Sequence, residues 1–261
     1  MNILLTNDDG INSPGLWAIA EKLVNIGNVT VAVPDRNQSG TGASMTLTEP
    51  IRMEKARSPV AGVVDTYSIE GTPADCVIMG VEYICKGKVD LVVSGINEGA
   101  NLGLDILNSG TFGAALHGYF RGINSVALSA KYVGEVIYGP AAIIGATVSQ
   151  LLLERDDPDP LLLNVNLPPQ EFEDIKGIRS TILGTKAYLE NVEEFKNGRR
   201  TYYWIKHNRE TELVSDENTD IWVVNNDYVS ITSVNPYLLS GRDNKVIDDI
   251  VKVTAMSAGH G

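Results

Sequence analysis

The alternation of short apolar segments with amphipathic segments over the first two thirds of the chain limits the fold more than any other feature. Short apolar runs that end in polar loops are typical of parallel strands covered on both faces. They occupy residues 3–5, 29–33, 90–94, 125–129 and 161–166. Helix-start signals at Ser13, Thr72 and Ser109, and helical spacing over residues 139–155, separate these runs. The alternation predicts an α/β fold with a doubly wound, mostly parallel, Rossmann-like sheet.

Hairpin signals replace this alternation after about residue 170. Asn197 and Gly198 are a strong tight-turn pair between two strand-like stretches, which predicts a projecting β-hairpin over about residues 184–207. Its aromatic segment, residues 202–204, is explained equally well as core or as a contact with another subunit.

The change of pattern divides the chain into two expected parts, an α/β core over residues 1–170 and a C-terminal part over residues 171–261. Within the second part, residues 228–234 predict a returning strand. Residues from 244 onward predict a terminal helix. We find no internal repeat and no low-complexity tract in the sequence.

Composition excludes several classes of protein. The 261 residues are 43% hydrophobic, but no apolar run of transmembrane length and no cationic leader is present, so we expect a cytoplasmic globular protein. The formal net charge of −12 argues against binding to a nucleic-acid polymer and indicates that an anionic substrate needs a metal ion here. Cys76 and Cys85 lack metal-binding spacing, so we interpret them as reduced packing residues.

Polar residues follow three of the predicted strands where each strand ends. In an open α/β sheet, such loops meet at the carboxyl edge, where ligands bind. The loop side chains all offer oxygen: Asp8, Asp9, Asn37, Ser39, Asn97 and Asn101. Hard divalent cations such as Mg²⁺, Mn²⁺ and Ca²⁺ prefer oxygen, whereas Zn²⁺ prefers nitrogen and sulfur. The same residues are also explained as ordinary turns, but adjacent carboxylates repel unless a cation or hydrogen bonds offset them.

The segment "SGT" at residues 109–111 predicts a helix start that either is only an N-cap or binds phosphate through backbone N–H groups. His117 lies one to two helical turns later, and we interpret it as structural rather than catalytic. The chain contains neither G-x-G-x-x-G nor a P-loop motif, so NAD binding and P-loop chemistry are not indicated.

Six motifs in order resemble the SurE family, survival protein E. They are "NILLTNDDGINSPG", "PDRNQSG", "SIEGTPADCV", "VSGIN" followed by "GANLG", "SGTFGAAL" and "LLNVNLPP". The resemblance covers nearly the whole chain, and an ordered set of motifs is far more specific than any single motif. The resemblance implies a metal-dependent 5'-nucleotidase, a phosphomonoesterase that acts on nucleoside monophosphates.

The resemblance also assigns residues. It implies one divalent ion, Mg²⁺ or Mn²⁺, with four ligands: Asp8, Asp9, Ser39 and Asn97. It implies four phosphate contacts: Asn101, Ser109, Gly110 and Thr111. It further implies self-association to a dimer or tetramer through the C-terminal hairpin or tail. The sequence departs from the family pattern at Tyr237 and Leu239, and at Leu104 and His117, where relatives carry polar or acidic residues.

The expected reaction is hydrolysis of a phosphate monoester by a metal-activated water, with the phosphate held at the helix start. Asp8 or Asp9 takes the proton, although attack by an aspartate to form a phosphoenzyme stays open.

Three other functions are alternatives to this reaction. A receiver-like signalling domain needs a third aspartate after a later strand, where this chain has "VSGIN"; a sugar-nucleotide transferase and a noncatalytic metal- or phosphate-binding module are the others.

Overall fold

The computed structural model describes residues 1–185, 188–198, 200–210 and 216–236. Its strands are β1 (Asn2–Thr6), β2 (Asn28–Pro34), β3 (Met53–Lys55), β4 (Val63–Ile69), β5 (Leu91–Glu98), β6 (Asn124–Ala130), β7 (Leu162–Leu167), β8 (Ile178–Thr181), β9 (Tyr188–Asn197), β10 (Arg200–Glu210) and β11 (Val229–Ser233). Its α-helices are α1 (Pro14–Leu23), α2 (Pro73–Met79), α3 (Gly110–Tyr119), α4 (Tyr138–Leu153) and α5 (Asp220–Asn225). A π-helical turn at Gly80–Ile84 extends α2, and 3-10 turns lie at Leu104–Leu107 and Phe172–Asp174.

Nine of the described strands form one sheet in the order β3-β4-β2-β1-β5-β6-β7-β11-β8. The run from β4 to β7 is parallel throughout, while β3 and β11 pair antiparallel with their neighbours β4 and β7. The winding reverses between β1 and β5, because β2 lies on one side of β1 and β5 on the other. The predicted fold class is therefore confirmed. The five predicted apolar runs located β1, β2, β5, β6 and β7, but they did not include β4.

Apolar side chains pack on both faces of the sheet. Helices α1 and α4 cover one face, where Leu5, Val93 and Leu128 are fully buried. Helices α2 and α3 cover the other face, over residues such as Leu4 and Val92. The strands read as continuous apolar runs because both of their faces are covered. Among the described residues, no helix is long and apolar enough to cross a membrane.

The C-terminal hairpin is present. Strand β9 ends at Asn197, Gly198 has a positive φ of 62°, and β10 pairs antiparallel with β9. Tyr203 and Trp204 are 64% and 62% exposed, so the interpretation of this segment as core of the chain is wrong. The predicted returning strand is β11, whereas the predicted helix from residue 244 lies outside the described residues. The division of the chain at residue 170 stays a prediction.

A cavity in the central strands of the core should strongly lower the stability of the fold. Leu128 of β6 is fully buried, and its Cδ2 would lie 2.4 Å from a side-chain carbon added to Gly145 of α4. We expect Leu128→Ala to lower the free energy of unfolding by about 2–5 kcal/mol, measured by urea denaturation. Leu151→Ala, on the exposed side of α4, is the matched control and should cost less than about 0.5 kcal/mol. Equal losses would contradict the described packing.

Candidate metal and phosphate site

Three polar loops meet above the point where the winding reverses. Strands β2, β1 and β5 are neighbours in the sheet, with Leu5 beside Val31 and Thr6 beside Ser94. Their carboxyl ends therefore open onto one edge, and a cavity of about 700 Å³ lies there. Its wall contains six of the eight predicted site residues, namely Asp8, Asp9, Ser39, Asn97, Asn101 and Ser109.

Asp8 is the most enclosed of these side chains, with 3% exposure. Its Oδ1 accepts a hydrogen bond of 2.5 Å from the Thr111 hydroxyl, and its carboxylate also accepts from the Thr111 N–H. Helix α3 can approach this closely because Gly110 has no side chain; a carbon there would lie 2.8 Å from Asp8 Cβ. Burial raises the pKa of Asp8 even though the bonds from Thr111 favour the ionised form.

Asp9 is held more loosely beside it. Its Oδ1 accepts from Asn37 Nδ2 at 3.2 Å, and its Oδ2 accepts from the Glu98 N–H at 3.4 Å. Burial, followed by the negative charge of Asp8, raises the pKa of Asp9 from 3.8 to about 6, and the charge of Glu98 adds to this. The hydrogen bonds therefore offset only part of the negative charge of this carboxylate pair.

The loop after β2 is anchored at both ends. The Gln38 N–H donates to the backbone oxygen of Asp8 at 2.7 Å, and Asn37 Oδ1 accepts from the Ser39 N–H at 2.9 Å. Farther along, the Thr46 N–H and hydroxyl donate to the buried Asp75 of α2. This anchoring leaves the exposed Ser39 hydroxyl at the cavity wall beside the acids.

Asn97 and Asn101 come from the loop end of β5. Asn97 Nδ2 donates to the Gly99 carbonyl at 2.8 Å, which orients the amide and leaves its Oδ1 as the atom suited to a cation. The backbone of Asn101 is fixed by two buried asparagines of β7: its N–H donates to Asn166 Oδ1, and its carbonyl accepts from the amides of both Asn164 and Asn166. This explains the "LLNVNLPP" motif, whose alternate asparagines face the same side of the strand.

The start of α3 has partners of its own. Ser109 is the N-cap, and its hydroxyl accepts from the Phe112 N–H at 3.1 Å. Thr111 is fully buried, and its hydroxyl and N–H both point to Asp8. The helix start therefore stabilises an acid of the predicted metal site through its N–H groups and its dipole. His117 lies farther along α3, buried, with Nε2 at 3.2 Å from the Ala43 carbonyl.

Asp220 supports the loop after β5, which carries Asn101 and Gly103, and the sequence analysis missed this residue. The side chain is fully buried at the start of α5. Its Oδ2 accepts from the Gly103 N–H at 2.8 Å, and its Oδ1 accepts from the N–H groups of Gly184 and Ile221. Burial raises the pKa of Asp220, while these three bonds favour the ionised form. The one available signal was an acid at the start of a helix, directly after the N-cap Thr219.

The donor set fits a hard divalent cation. It consists of two carboxylates with raised pKa values, an exposed hydroxyl and an oriented amide oxygen, all on one cavity wall. In the part of the chain that the structure describes, no group of three or more His, Cys, Asp or Glu side chains could hold a metal. A cation here would therefore depend on two acids plus neutral oxygens, a set suited to Mg²⁺ or Mn²⁺ rather than Zn²⁺.

Comparisons with known proteins point to the same family as the motifs. A family model described as survival protein SurE matches residues 3–190. A 5'-nucleotidase SurE from Dehalococcoides mccartyi is 43% identical over 240 residues, which cover 91% of this chain and 90% of the relative. A 5'-nucleotidase SurE from Aquifex aeolicus is 42% identical over 234 residues, which cover 89% of this chain and 91% of the relative.

A solved structure agrees over nearly the full length. The crystal structure of the SurE protein from Aquifex aeolicus has a TM-score of 0.78 and 39% sequence identity, and the match covers 97% of this chain and 100% of that one. The family model spans more than half of the chain, and the relatives exceed 30% identity over most of it. This chain belongs to the SurE family.

Proposed function

We propose that this protein is a metal-dependent 5'-nucleotidase that hydrolyses nucleoside 5'-monophosphates to nucleoside and phosphate. The observation that carries the proposal is the pair of adjacent acids, Asp8 and Asp9, held beside a helix N-terminus in a cavity of about 700 Å³. A cavity of this size is in the range of small-molecule sites. Relatives with about 40% identity are named 5'-nucleotidases, which supports the same activity here.

Asp8, Asp9, Ser39 and Asn97 would hold one divalent ion, Mg²⁺ or Mn²⁺. Two carboxylates balance the charge of one such ion, and the neutral oxygens of Ser39 and Asn97 complete the protein's share of the ligands. When bound, the ion supplies Lewis acidity toward a phosphoryl oxygen and lowers the pKa of water.

The chain's own groups orient the substrate phosphate. The Gly110 N–H, at the positive end of the α3 dipole, and the amide of Asn101 are the groups we assign to the phosphoryl oxygens. The two buried asparagines of β7 fix the backbone of Asn101, so its position does not have to be formed on binding. Such fixed donors stabilise charge that develops on the equatorial oxygens.

The two acids have different roles in this proposal. Asp8 is fixed by Thr111 at 2.5 Å, so we assign it to holding the ion in place. Asp9 has longer hydrogen bonds and is less buried, so we assign it to accepting the proton of the attacking water. The water oxygen forms the new bond to phosphorus, the bond to the 5'-oxygen breaks, and that oxygen takes a proton from solvent.

Asp8→Asn should remove the activity. We expect a loss of at least about 100-fold in phosphate release from a nucleoside monophosphate with Mg²⁺ or Mn²⁺. Removing a residue that only orients a metal ligand already costs about 10–100-fold, and Asp8 is assigned as a ligand itself. The exposed Asp156→Asn is the matched control and should keep wild-type rates. A chelator should stop wild-type turnover, and either ion should restore it. Full activity of Asp8→Asn, or of chelated wild type, would overturn the assignment.

The pKa of Asp9, raised to about 6, predicts a pH-dependent decrease in the free energy of unfolding of the metal-free protein. Because the folded pKa lies above the unfolded value, the ionised form destabilises the fold, and the cost appears as pH rises through about 4 to 6. We expect metal-free Asp9→Asn to be more stable than wild type by about 1–2 kcal/mol at pH 7.5, after allowance for solvent screening. The difference should vanish below about pH 4.

Bound metal should reverse this order of stability and make the wild type more stable than Asp9→Asn. At a Mn²⁺ concentration 100 times the dissociation constant, wild type should gain about 2.7 kcal/mol, whereas Asp9→Asn should gain much less. Thermal unfolding at pH 7.5, with and without Mn²⁺, measures both effects. If the two metal-free proteins are equally stable at pH 7.5, burial and the charge of Asp8 do not raise the pKa of Asp9 as described.

Self-association through the hairpin of β9 and β10 is also part of the proposal. Tyr203, Trp204 and Ile205 expose large apolar surface on a two-stranded sheet, and a two-stranded hairpin is marginal alone in water. A second copy of the chain would cover that surface.

Trp204→Glu should therefore reduce the oligomer to the 28.2 kDa chain, measured by light scattering after size exclusion. Trp204→Phe keeps an apolar ring and should retain the wild-type mass. A monomeric wild type, or an unchanged mass for Trp204→Glu, would overturn this assignment.

A further inference from the structure

A short turn directly after β6 forms part of the cavity wall. Strand β6 is the parallel neighbour of β5, with Ser129 beside Asn97 and Ala130 beside Glu98. Residues 131–133 therefore leave the sheet at the same edge as the metal and phosphate groups, and all three line the cavity. No step of the proposed reaction uses them.

The turn is built to hold one shape. The Lys131 N–H donates to the Leu167 carbonyl at 3.0 Å, and Lys131 Nζ donates to Asn225 Oδ1 of α5 at 2.8 Å. A bridge between Val133 and Glu135 closes the turn around Gly134, which has a positive φ of 76°. The side chains on this turn are therefore presented by a backbone that is fixed on both sides.

Tyr132 and Val133 give this part of the wall an apolar character. They are 52% and 61% exposed, although they border the same cavity as Asp8, which is buried, and Asp9, which is half-buried. A single exposed aromatic residue is ordinary, but here the ring and the aliphatic side chain are adjacent and face a small-molecule cavity. Phosphate and metal ions are bound by oxygen and N–H groups, so the apolar surface of Tyr132 and Val133 does not contribute to binding them.

The volume of the cavity also exceeds what a phosphate group needs. About 700 Å³ accommodates a ligand of several rings, in the range of drug-sized molecules. A ligand anchored by its phosphate near Asp8 and Ser109 would thus extend over the remaining wall, which includes Tyr132. The part of a nucleotide that matches an exposed aromatic ring is the flat face of its base.

We infer that Tyr132 and Val133 form the nucleobase subsite of this protein, with the base stacked on the Tyr132 ring and Val133 packed along its edge. The inference rests on the proposed nucleotidase function. Every base has a π-face, so stacking selects nucleotides over other phosphate monoesters without strong preference among the bases. The base does not change during the reaction, so we expect its stacking to be equally strong in the ground state and the transition state, and the loss of such uniform binding raises KM and leaves kcat unchanged.

The test compares two substrates that share a phosphate and a ribose but differ in the base, namely a purine nucleoside 5'-monophosphate and ribose 5-phosphate, with Mn²⁺ present. For Tyr132→Ala we expect KM for the nucleotide to rise about 10-fold or more, in line with the loss of one stacked base, with kcat nearly unchanged. Its kinetic constants for ribose 5-phosphate should equal those of wild type.

Two controls separate stacking from other effects. Tyr132→Phe retains the ring and should keep the wild-type KM for the nucleotide. Tyr83→Ala changes another exposed tyrosine, 70% exposed and outside the cavity wall, and should leave both substrates unaffected. Equal thermal unfolding of the variants shows that each remains folded.

The outcomes distinguish this inference from the proposed function. If wild type cleaves both substrates and Tyr132→Ala leaves the nucleotide KM unchanged, the base subsite is wrong and the nucleotidase stands. Equal losses on both substrates also overturn the base subsite, because the base would then not be what Tyr132 binds. If wild type cleaves neither substrate, the proposed function itself fails, and the subsite with it.

Discussion

Asp8 and Asp9 are consecutive residues, so two carboxylates lie side by side where much of the solvent is excluded. The surrounding elements offset part of the free-energy cost of burying that charge. Thr111 donates two hydrogen bonds to Asp8, and the N-terminus of α3 directs its dipole at the same group. Asp9 receives only longer bonds, and its pKa rises to about 6. The remaining imbalance is the physical basis for expecting a cation.

The rest of the fold makes this arrangement rigid. The reversal of winding between β1 and β5 brings three loops to one edge, as it does in other open α/β sheets. The loop that carries Asn101 is then tied from two directions, by the asparagines of β7 and by Asp220 of α5. The C-terminal part of the chain thus contributes to the site by positioning the loop, although none of its described residues lines the cavity near Asp8.

Local sequence patterns predicted β1, β2, β5, β6 and β7 of the parallel core because each of these strands is an apolar run of its own. They also predicted which loops converge, since parallel strands deliver their carboxyl ends to one edge. The partners of Thr111 and Asp220 were not predictable in this way, because they depend on contacts 103 and 117 residues apart in the sequence. Strand β8 and helix α5 were missed for a related reason: both are short, and the rest of the sheet stabilises them.

Titration calorimetry with Mn²⁺ at pH 7.5 tests the central claim most directly. The account predicts one ion bound per chain in the wild type and loss of that binding in Asp8→Asn. Wild-type protein that binds no ion, or an Asp8→Asn variant that binds as the wild type does, would contradict it.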